Sequence, residues 1–451
     1  MCPRTSVDSV SSEKTGRRGA RLIAGNLIDL STHYFDLLAL AWRRRSKQIT
    51  SYHHDFKDLT DWDARILAYL EALVLLKHHS CPQGLERLSD PLPEEELFAL
   101  NLLALTTRDT GLSQACVGLV QGMPRFLEPY AAALTWADWP ACEDSLRRWP
   151  NDDESYQQLC LHALAHHDVA LSPQQINSWI EGLSPQPRIR IAALRCAVWR
   201  GEAEWASQAN QWLETAHPEL RLAAAEALIV AGPTQDRRTM LPVLRDLALD
   251  SKHPAVSENA AQKLLTVPCT EGQELLEALA DDVKRQRLYL ESLGWTGDPR
   301  AVPLLSERLD HPSDARLAAA AIGTLIGSHP VRDGWQANEP PQAPIQSQAP
   351  QAEDALPPPD PDAGLPWPDR ELFSRWWQTR CDNWPTHRLY LGGRPREHAE
   401  LRGILRQGVL AWRPQAAWHL QIVHRGRRFP WRAPAPRQHY HLTRNVETLN
   451  G

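Results

Sequence analysis

Pro187-Arg-Ile-Arg-Ile-Ala-Ala-Leu194, His217-Pro-Glu-Leu-Arg-Leu-Ala-Ala-Ala-Glu-Ala-Leu228, His253-Pro-Ala-Val-Ser-Glu-Asn-Ala-Ala-Gln-Lys-Leu264 and His311-Pro-Ser-Asp-Ala-Arg-Leu-Ala-Ala-Ala319 are four versions of one helical phrase. Their prolines stand at Pro187, Pro218, Pro254 and Pro312, in steps of 31, 36 and 58 residues. The last step is two repeats long, so a further copy is expected near Val283, where Lys284-Arg-Gln-Arg-Leu-Tyr-Leu-Glu-Ser-Leu293 stands. Pro218, Pro254 and Pro312 suit a first helical position, where a missing N–H costs nothing. The alanine strings let neighbouring helix axes approach closely. One such phrase cannot bury its apolar face alone, and a row of them can.

Repeats of roughly 30–45 residues built from paired helices imply an α-solenoid of HEAT type. Arg190, Arg221 and Arg316 hold matching places in the phrase and are expected to bond loop carbonyls of the next unit. His217, His253, His311 and His329 each precede a proline and are expected in the turns between repeats. Deleting an internal repeat should disrupt its neighbours, because the core forms only by stacking.

Outward from the repeats, the 451-residue chain has room for two or three domains, or one solenoid with appended parts. Residues 1–20 are polar and read as disordered, and 21–183 form a helical N-terminal domain, read as degenerate repeats. Tyr34, Leu37, Leu38, Ala41 and Trp42 share a helix face that ends in Arg43-Arg44-Arg45, cations placed to meet the helix dipole. Thr60 with Asp63 resembles a capping box opening a second helix, on which Ile66, Tyr69, Leu70, Leu73 and Val74 repeat the spacing. Pro93-Glu-Glu-Glu96 starts a third. The repeats fill 184–335. Residues 336–368 form a Pro/Gln/Ala-rich linker, with Glu339-Pro-Pro-Gln-Ala-Pro344 and Leu356-Pro-Pro-Pro-Asp-Pro361, read as an extended spacer.

The last segment, 369–451, is a basic Trp/Arg-rich module. It holds 15 Arg, no Lys and 6 acids, a local charge of +9 within a chain whose total is −6. It is expected either to dock on the acidic remainder or to bind an acidic partner. Asp369 to Trp377, Glu397 to Leu410 and Pro414 to Val423 read as short helices, and Leu389-Tyr-Leu-Gly-Gly393 as a strand or turn. Arg425, Arg427, Arg428, Trp431 and Arg432 interleave cations with aromatics, a mixture found in single-strand nucleic-acid binders and in protein interfaces. The acidic total favours protein contact. These five, with Trp376 and Trp377, are the candidate protein-binding residues.

Little points to chemistry. Eight scattered cysteines contain no C-x-x-C pair, which fits a reducing compartment. The N-terminus lacks the apolar core of a signal peptide. No apolar run approaches the roughly 20 residues of a membrane span. A cytoplasmic location is therefore expected. Some HEAT-repeat proteins are di-iron hydroxylases whose His-Glu pairs hold the metals, but this chain has no His-Glu dipeptide. His162 and His166 could chelate a metal from one helix face, but no third ligand is placed. No phosphate-binding or hydrolase glycine pattern occurs, and Gly392-Gly393 reads as a turn.

Ser51-Tyr-His-His-Asp-Phe-Lys-Asp-Leu-Thr-Asp-Trp-Asp-Ala-Arg65 with Leu70-Glu-Ala-Leu73 resembles the N-terminal motif of an uncharacterised family of HEAT-repeat proteins associated with bacterial type VI secretion clusters. Leu389-Tyr-Leu-Gly-Gly393, Leu401 to Gly408, Ala416-Ala417 and Arg432-Ala-Pro-Ala-Pro-Arg-Gln438 resemble its C-terminal segment. The chain departs from that family in the proline-rich insert and at Trp418, where a small or aliphatic residue is expected. The resemblance implies a cytoplasmic accessory protein working beside spike or effector components, and carries over no catalytic residue.

The resulting expectation is an all-α protein: a HEAT-like α-solenoid, a proline-rich linker and a small, mostly helical Trp/Arg-rich C-terminal module. Its expected function is a non-enzymatic scaffold or adaptor holding a protein partner, with no cofactor, no metal and no membrane contact. Two alternatives remain open: an immunity protein occluding a cognate toxin, and a HEAT-type enzyme, either a metal hydroxylase or a DNA glycosylase.

Overall fold

The computed structural model describes the backbone of residues 10–89, 91–149, 153–167, 169, 185–201, 207–231, 234–339, 360–424 and 428–447. Side chains are described for all of these except 10–25, 207–208, 231, 234–237 and 444–447. Among the described residues the fold is all-α, relieved by one hairpin of two-residue strands and two isolated bridges. No described helix is long and apolar enough to cross a membrane. Contacts divide the chain into two compact units: residues 1–47 with 59–175, and residues 48–58 with 176–451.

The first unit contains α1 (Val10–Gln48), α2 (Phe56–Leu75), α3 (Lys77–Arg87), α4 (Glu94–Thr107), α5 (Thr110–Gly122), α6 (Leu127–Trp136), α7 (Trp139–Leu146) and α8 (Glu154–His166). One core built on Phe35, Leu38, Ile66, Leu73, Phe98, Leu112, Tyr130 and Leu134 unites them. Helix α4 lies at its centre and is buried on every side from Leu97 to Leu105, as an all-round apolar helix must be. Asp109, Asp138 and Asp153 cap the next helices by accepting from the backbone N–H groups of Leu112, Ala141 and Ser155.

Three expectations change here. Helix α1 reaches back to Val10, into the segment read as disordered. Helix α2 starts at Phe56, not near Thr60, because Asp55 accepts from the N–H groups of Lys57 and Asp58 at 2.8 and 3.1 Å. Asp63 is no cap. It is fully buried and receives Arg45 Nε at 2.5 Å, with Arg45 Nη2 at 3.3 Å from its second oxygen. Arg45 therefore turns inward to a carboxylate, and its guanidinium also lies 5.2 Å from the Trp136 ring centre.

The second unit holds the repeats: α9 (Pro187–Arg200), α10 (Pro218–Ala231), α11 (Thr234–Leu249), α12 (Pro254–Leu265), α13 (Thr270–Ala280), α14 (Gln286–Thr296), α15 (Ala301–Ser306), α16 (Ala315–Ile326) and α17 (Pro330–Asp333). Helices α9, α10, α12, α14 and α16 contact one another in series and form a layer of first helices, with α11, α13 and α15 packed against it as second helices. This is an α-solenoid. The copy expected near Val283 is present as α14. Close approach is visible where a Cβ on Gly294 would stand 3.1 Å from the Ala321 backbone. Pro218 and Pro254 open their helices as expected, but Pro312 does not. The N–H groups of Asp314 and Ala315 both donate to the His311 carbonyl, and that turn delays α16 to Ala315.

After the repeats the chain leaves at Glu339 and re-enters description at Asp360, so most of the proline-rich segment lies outside the described residues. Its flanks meet. Gln336 bridges Pro368, Ala337 N–H donates to Trp367 O at 2.8 Å, and Asp369 N–H donates to Trp335 O at 2.8 Å. The two described flanks therefore lie side by side. The remainder is α18 (Arg370–Gln378), β1 (Tyr390–Leu391), β2 (Arg394–Pro395), α19 (His398–Gln407), α20 (Arg413–His424) and α21 (Ala435–Glu447). It shares cores with the repeats: Phe373 with Leu305, Ile322 and Trp335, and Trp418 with Leu228, Leu264 and Trp295.

Replacing Asp63 with Ala would take from the buried Arg45 the carboxylate that both its Nε and Nη2 meet. A loss of about 3–5 kcal/mol is expected for the first unit, the usual cost of breaking a buried pair from one side, read by chemical denaturation.

Candidate partner-binding surface

The C-terminal segment is built onto the ends of the first helices. The last four carbonyls of a helix have no partner within it, and here other parts of the chain supply donors. Tyr390 N–H donates to Gly297 O at 2.8 Å, just past the end of α14. Gly392 and Gly393 donate to Thr324 and Leu325 of α16 at 2.7 and 3.1 Å. Arg396 reaches Thr266 O at 3.3 Å and also bonds Trp295 O, which Gln415 Nε2 shares at 2.8 Å. Gln421 bonds Val198 O, and Arg428 N–H donates to Trp199 O at 2.9 Å, both in the last turn of α9.

The Gly392-Gly393 turn makes this contact possible. Both residues have positive φ, as a type I′ hairpin requires. A Cβ on Gly393 would lie 2.4 Å from Ile326 O, and one on Gly392 would strike Trp412. The turn reading of this pair therefore holds, and the hairpin β1–β2 turns on it.

Residues 48–58 belong to the same unit. Leu410 and Ala411 donate to the carbonyls of His54 and Ser51 at 2.8 and 3.1 Å. Phe56 lies 4.8 Å from the His439 ring and beneath the buried guanidinium of Arg413 at 4.3 Å. Residues 51–58 of the N-terminal motif and the C-terminal segment thus meet in one unit.

A charged cluster lies on the first-helix layer. Arg287 of α14 binds Asp362 with both terminal nitrogens, at 2.8 and 3.1 Å, and stands 3.6 Å from Glu291. Arg316 of α16 donates to Asp362 O at 2.9 Å and Asp360 Oδ2 at 2.7 Å, and Trp367 lies over its guanidinium at 4.4 Å. The Tyr52 hydroxyl is buried against Thr324, and burial followed by the Glu291 charge raises its pKa. Burial, and then the neighbouring Glu258 carboxylate, push Glu291 up to about 7. Beside these groups a cleft of ≈ 40 Å³ is lined by Tyr52, Arg316, His329, Arg332, Pro366 and Trp412.

The candidate residues fall into distinct environments. Arg425 and Arg427 lie outside the described residues. Arg428 is buried, donates to Gln421 Oε1 at 2.7 Å, and stands 3.5 Å from Glu226. Its guanidinium lies 5.0 Å from the Trp418 ring and 5.3 Å from Trp199. Trp431 is buried, and Arg432 is exposed over its ring at 4.7 Å. Arg428 and Trp431 thus face this chain's own interior. Trp376 and Trp377 are half-buried and stack with Phe373 and Trp384 against the last repeats. Arg287, Arg396, Gln415 and Gln421 make contacts that no motif in the sequence announces. Only Arg287 carried a signal, by its place in the copy near Val283.

Of the repeat arginines, Arg221 and Arg316 bond carbonyls, but neither carbonyl lies in the next repeat as expected, Arg316 meeting Asp362 O and Arg221 a turn before its own helix. Arg221 donates to Leu213 O at 2.9 Å, and Arg285 to Leu249 O at 3.0 Å and to Ala248 O. Arg190 lies over Trp212 at 5.6 Å. The turn histidines are in turns, where His253 Nδ1 meets Asp250 at 2.8 Å and His217 Nδ1 accepts from Leu220 N–H at 3.4 Å. His162 Nε2 is bonded to Thr135 at 3.0 Å, and no three metal-capable side chains converge among the described residues.

A family model described as HEAT repeats matches residues 241–326. No curated protein matches the chain. Among solved structures, the crystal structure of an engineered protein is similar at 16% identity, over 62% of this chain and 86% of that one, with a TM-score of 0.29.

Glu291 gives a pH signature. Its folded pKa, about 7, stands above the unfolded value near 4.5, so the folded state holds a proton that the unfolded chain has released. Stability is therefore full below about pH 4.5 and falls as pH rises through 7. Glu291→Gln should remove that fall, up to about 3 kcal/mol, in denaturation midpoints measured from pH 5 to 8. Removing residues 369–451 would strip Phe373 and Trp418 from their cores. The truncated chain is expected to lose cooperative unfolding of the repeats, and a sharp melt would show that the repeats stand alone.

Proposed function

We propose that this helical repeat scaffold carries out no reaction of its own and holds a protein partner, and that the partner is an effector or spike component of a type VI secretion system. The observation that supports the scaffold reading is the continuous stack of first and second helices, α9 to α16, with the HEAT match inside it. Such stacks present long surfaces whose curvature and side chains select a partner. Arg287 and Arg316 on the first-helix layer bind carboxylates and a carbonyl of residues 360–362, which is recognition chemistry. The choice of partner rests on the resemblance carried by Ser51 to Arg65 and by Leu389 to Gln438. On this reading the protein works in the cytoplasm beside the machinery it serves.

Co-expression of the tagged chain with the spike and effector proteins encoded beside it tests this reading. A stable complex with one of them is expected by size-exclusion chromatography, and deletion of the gene should reduce delivery of that partner without harming the producing cell. Loss of self-protection on deletion would favour the immunity role instead. A chain that binds none of them overturns the proposal.

A further inference from the structure

Arg287 and Arg316 stand on adjacent first helices, and this chain's own Asp360-Pro361-Asp362 occupies both. The contact has the form of ligand recognition. Asp362 Oδ2 accepts from Arg287 Nη1 at 3.1 Å, and its other oxygen stands 2.8 Å from Arg287 Nη2 as an ion-pair contact. Arg316 reads a main-chain carbonyl and a second carboxylate, and Trp367 covers its guanidinium face. The segment is also pre-shaped. Asp362 N–H donates to Asp360 Oδ1 at 2.9 Å, Ala363 N–H to Asp360 O at 3.1 Å, and Leu365 N–H to Asp362 O at 3.0 Å.

We propose that Arg287 and Arg316 form a docking site for an acidic, proline-containing peptide segment of a protein partner, and that residues 360–367 are a built-in competitor for it. The proposal rests on the scaffold reading and names the chemistry of the segment that scaffold recognises. A strap that served only to cover the repeats would need apolar contacts. This one buries Asp362 to 4% exposure, and a buried ion pair adds little stability over an apolar replacement while it fixes which partner fits. Glu291, at 3.6 Å, stands farther from Arg287 than the Asp362 carboxylate does. The strap is tethered at Asp369 and so acts at a high effective concentration. A partner must therefore supply the same carboxylates together with contacts elsewhere on the chain.

The test uses the full chain and a fluorescein-labelled peptide of residues 360–368. By anisotropy, the peptide should bind the D360N/D362N chain at least tenfold more tightly than the wild type. Adding R287A and R316A to that variant should abolish binding, and a peptide with both aspartates replaced by asparagine should not bind. Equal binding to wild type and variant, or binding that survives loss of both arginines, overturns the proposal. If D360N/D362N fails to fold by circular dichroism, hydrogen exchange on the wild type at millimolar peptide decides. Faster exchange at Ala363 and Leu365 is expected, and unchanged exchange sinks the idea. No other protein is present in this assay, so its failure leaves intact a scaffold that binds its partner through another face.

Discussion

Helices that run side by side in one direction bring their unbonded carbonyls to one edge of the stack, and something has to meet them. In the second unit, the carbonyls of Val198, Trp199, Thr266, Trp295, Thr324 and Leu325 mark the ends of α9, α12, α14 and α16. Each accepts from residues 392–428. An unmet buried carbonyl costs about 1–3 kcal/mol, so the set of them exceeds what a domain of ordinary stability can leave open. This explains why a segment distant in sequence belongs to the same compact body. It also explains the choice of side chains, since Arg396, Gln415, Gln421 and Arg428 are long and rich in donors.

Charge follows the same logic. Helix C-termini carry partial negative charge, and cations near them are favourable. Burial lowers the Arg396 pKa, yet its partners are carbonyl oxygens, which keep a guanidinium charged without an acid nearby. Around Glu226, Lys263, Arg428 and Arg195 outweigh the effect of burial and hold its carboxyl below the ordinary range. Trp418 is the hub of this region, with Lys263 Nζ 4.3 Å from its ring centre and the Arg428 guanidinium at 5.0 Å. Its indole N–H has no acceptor among the described residues. The ring face is what this position uses, as a surface for two cations.

The repeat phrases exposed the solenoid because period and proline placement are local properties. Even the degenerate copy at α14 could be located by counting. Local signals misled where a tertiary partner outbid them. Thr60 and Asp63 have capping-box spacing, but Asp55 takes the cap and Arg45 claims Asp63. Arg43-Arg44-Arg45 reads as a cationic helix end, yet only the fold shows that Arg45 points inward. The basic tail resembled a surface for another molecule, because sequence reports charge and aromatic content without direction. Arg428 and Trp431 turned inward because carbonyls, Glu226 and two tryptophans await them. No sequence pattern placed residues 48–58 against 409–413, since that pairing spans most of the chain and leaves no periodic trace.

The arginine of the repeat phrase links the stack to its strap. Arg221 donates to a carbonyl of the turn before its own helix. Arg316 also bonds a carbonyl, but the one it finds belongs to Asp362, beyond the proline-rich segment. Among the described residues no further repeat follows α16, and residues 360–367 meet that arginine instead. A solenoid ends wherever its last unit meets something other than another copy, and the recognition groups of that unit do not vanish at the end. Here Arg316 keeps a main-chain carbonyl and gains the Asp360 carboxylate and the Trp367 indole. The position that serves the stack therefore holds, at its last described unit, a turn of acidic chain.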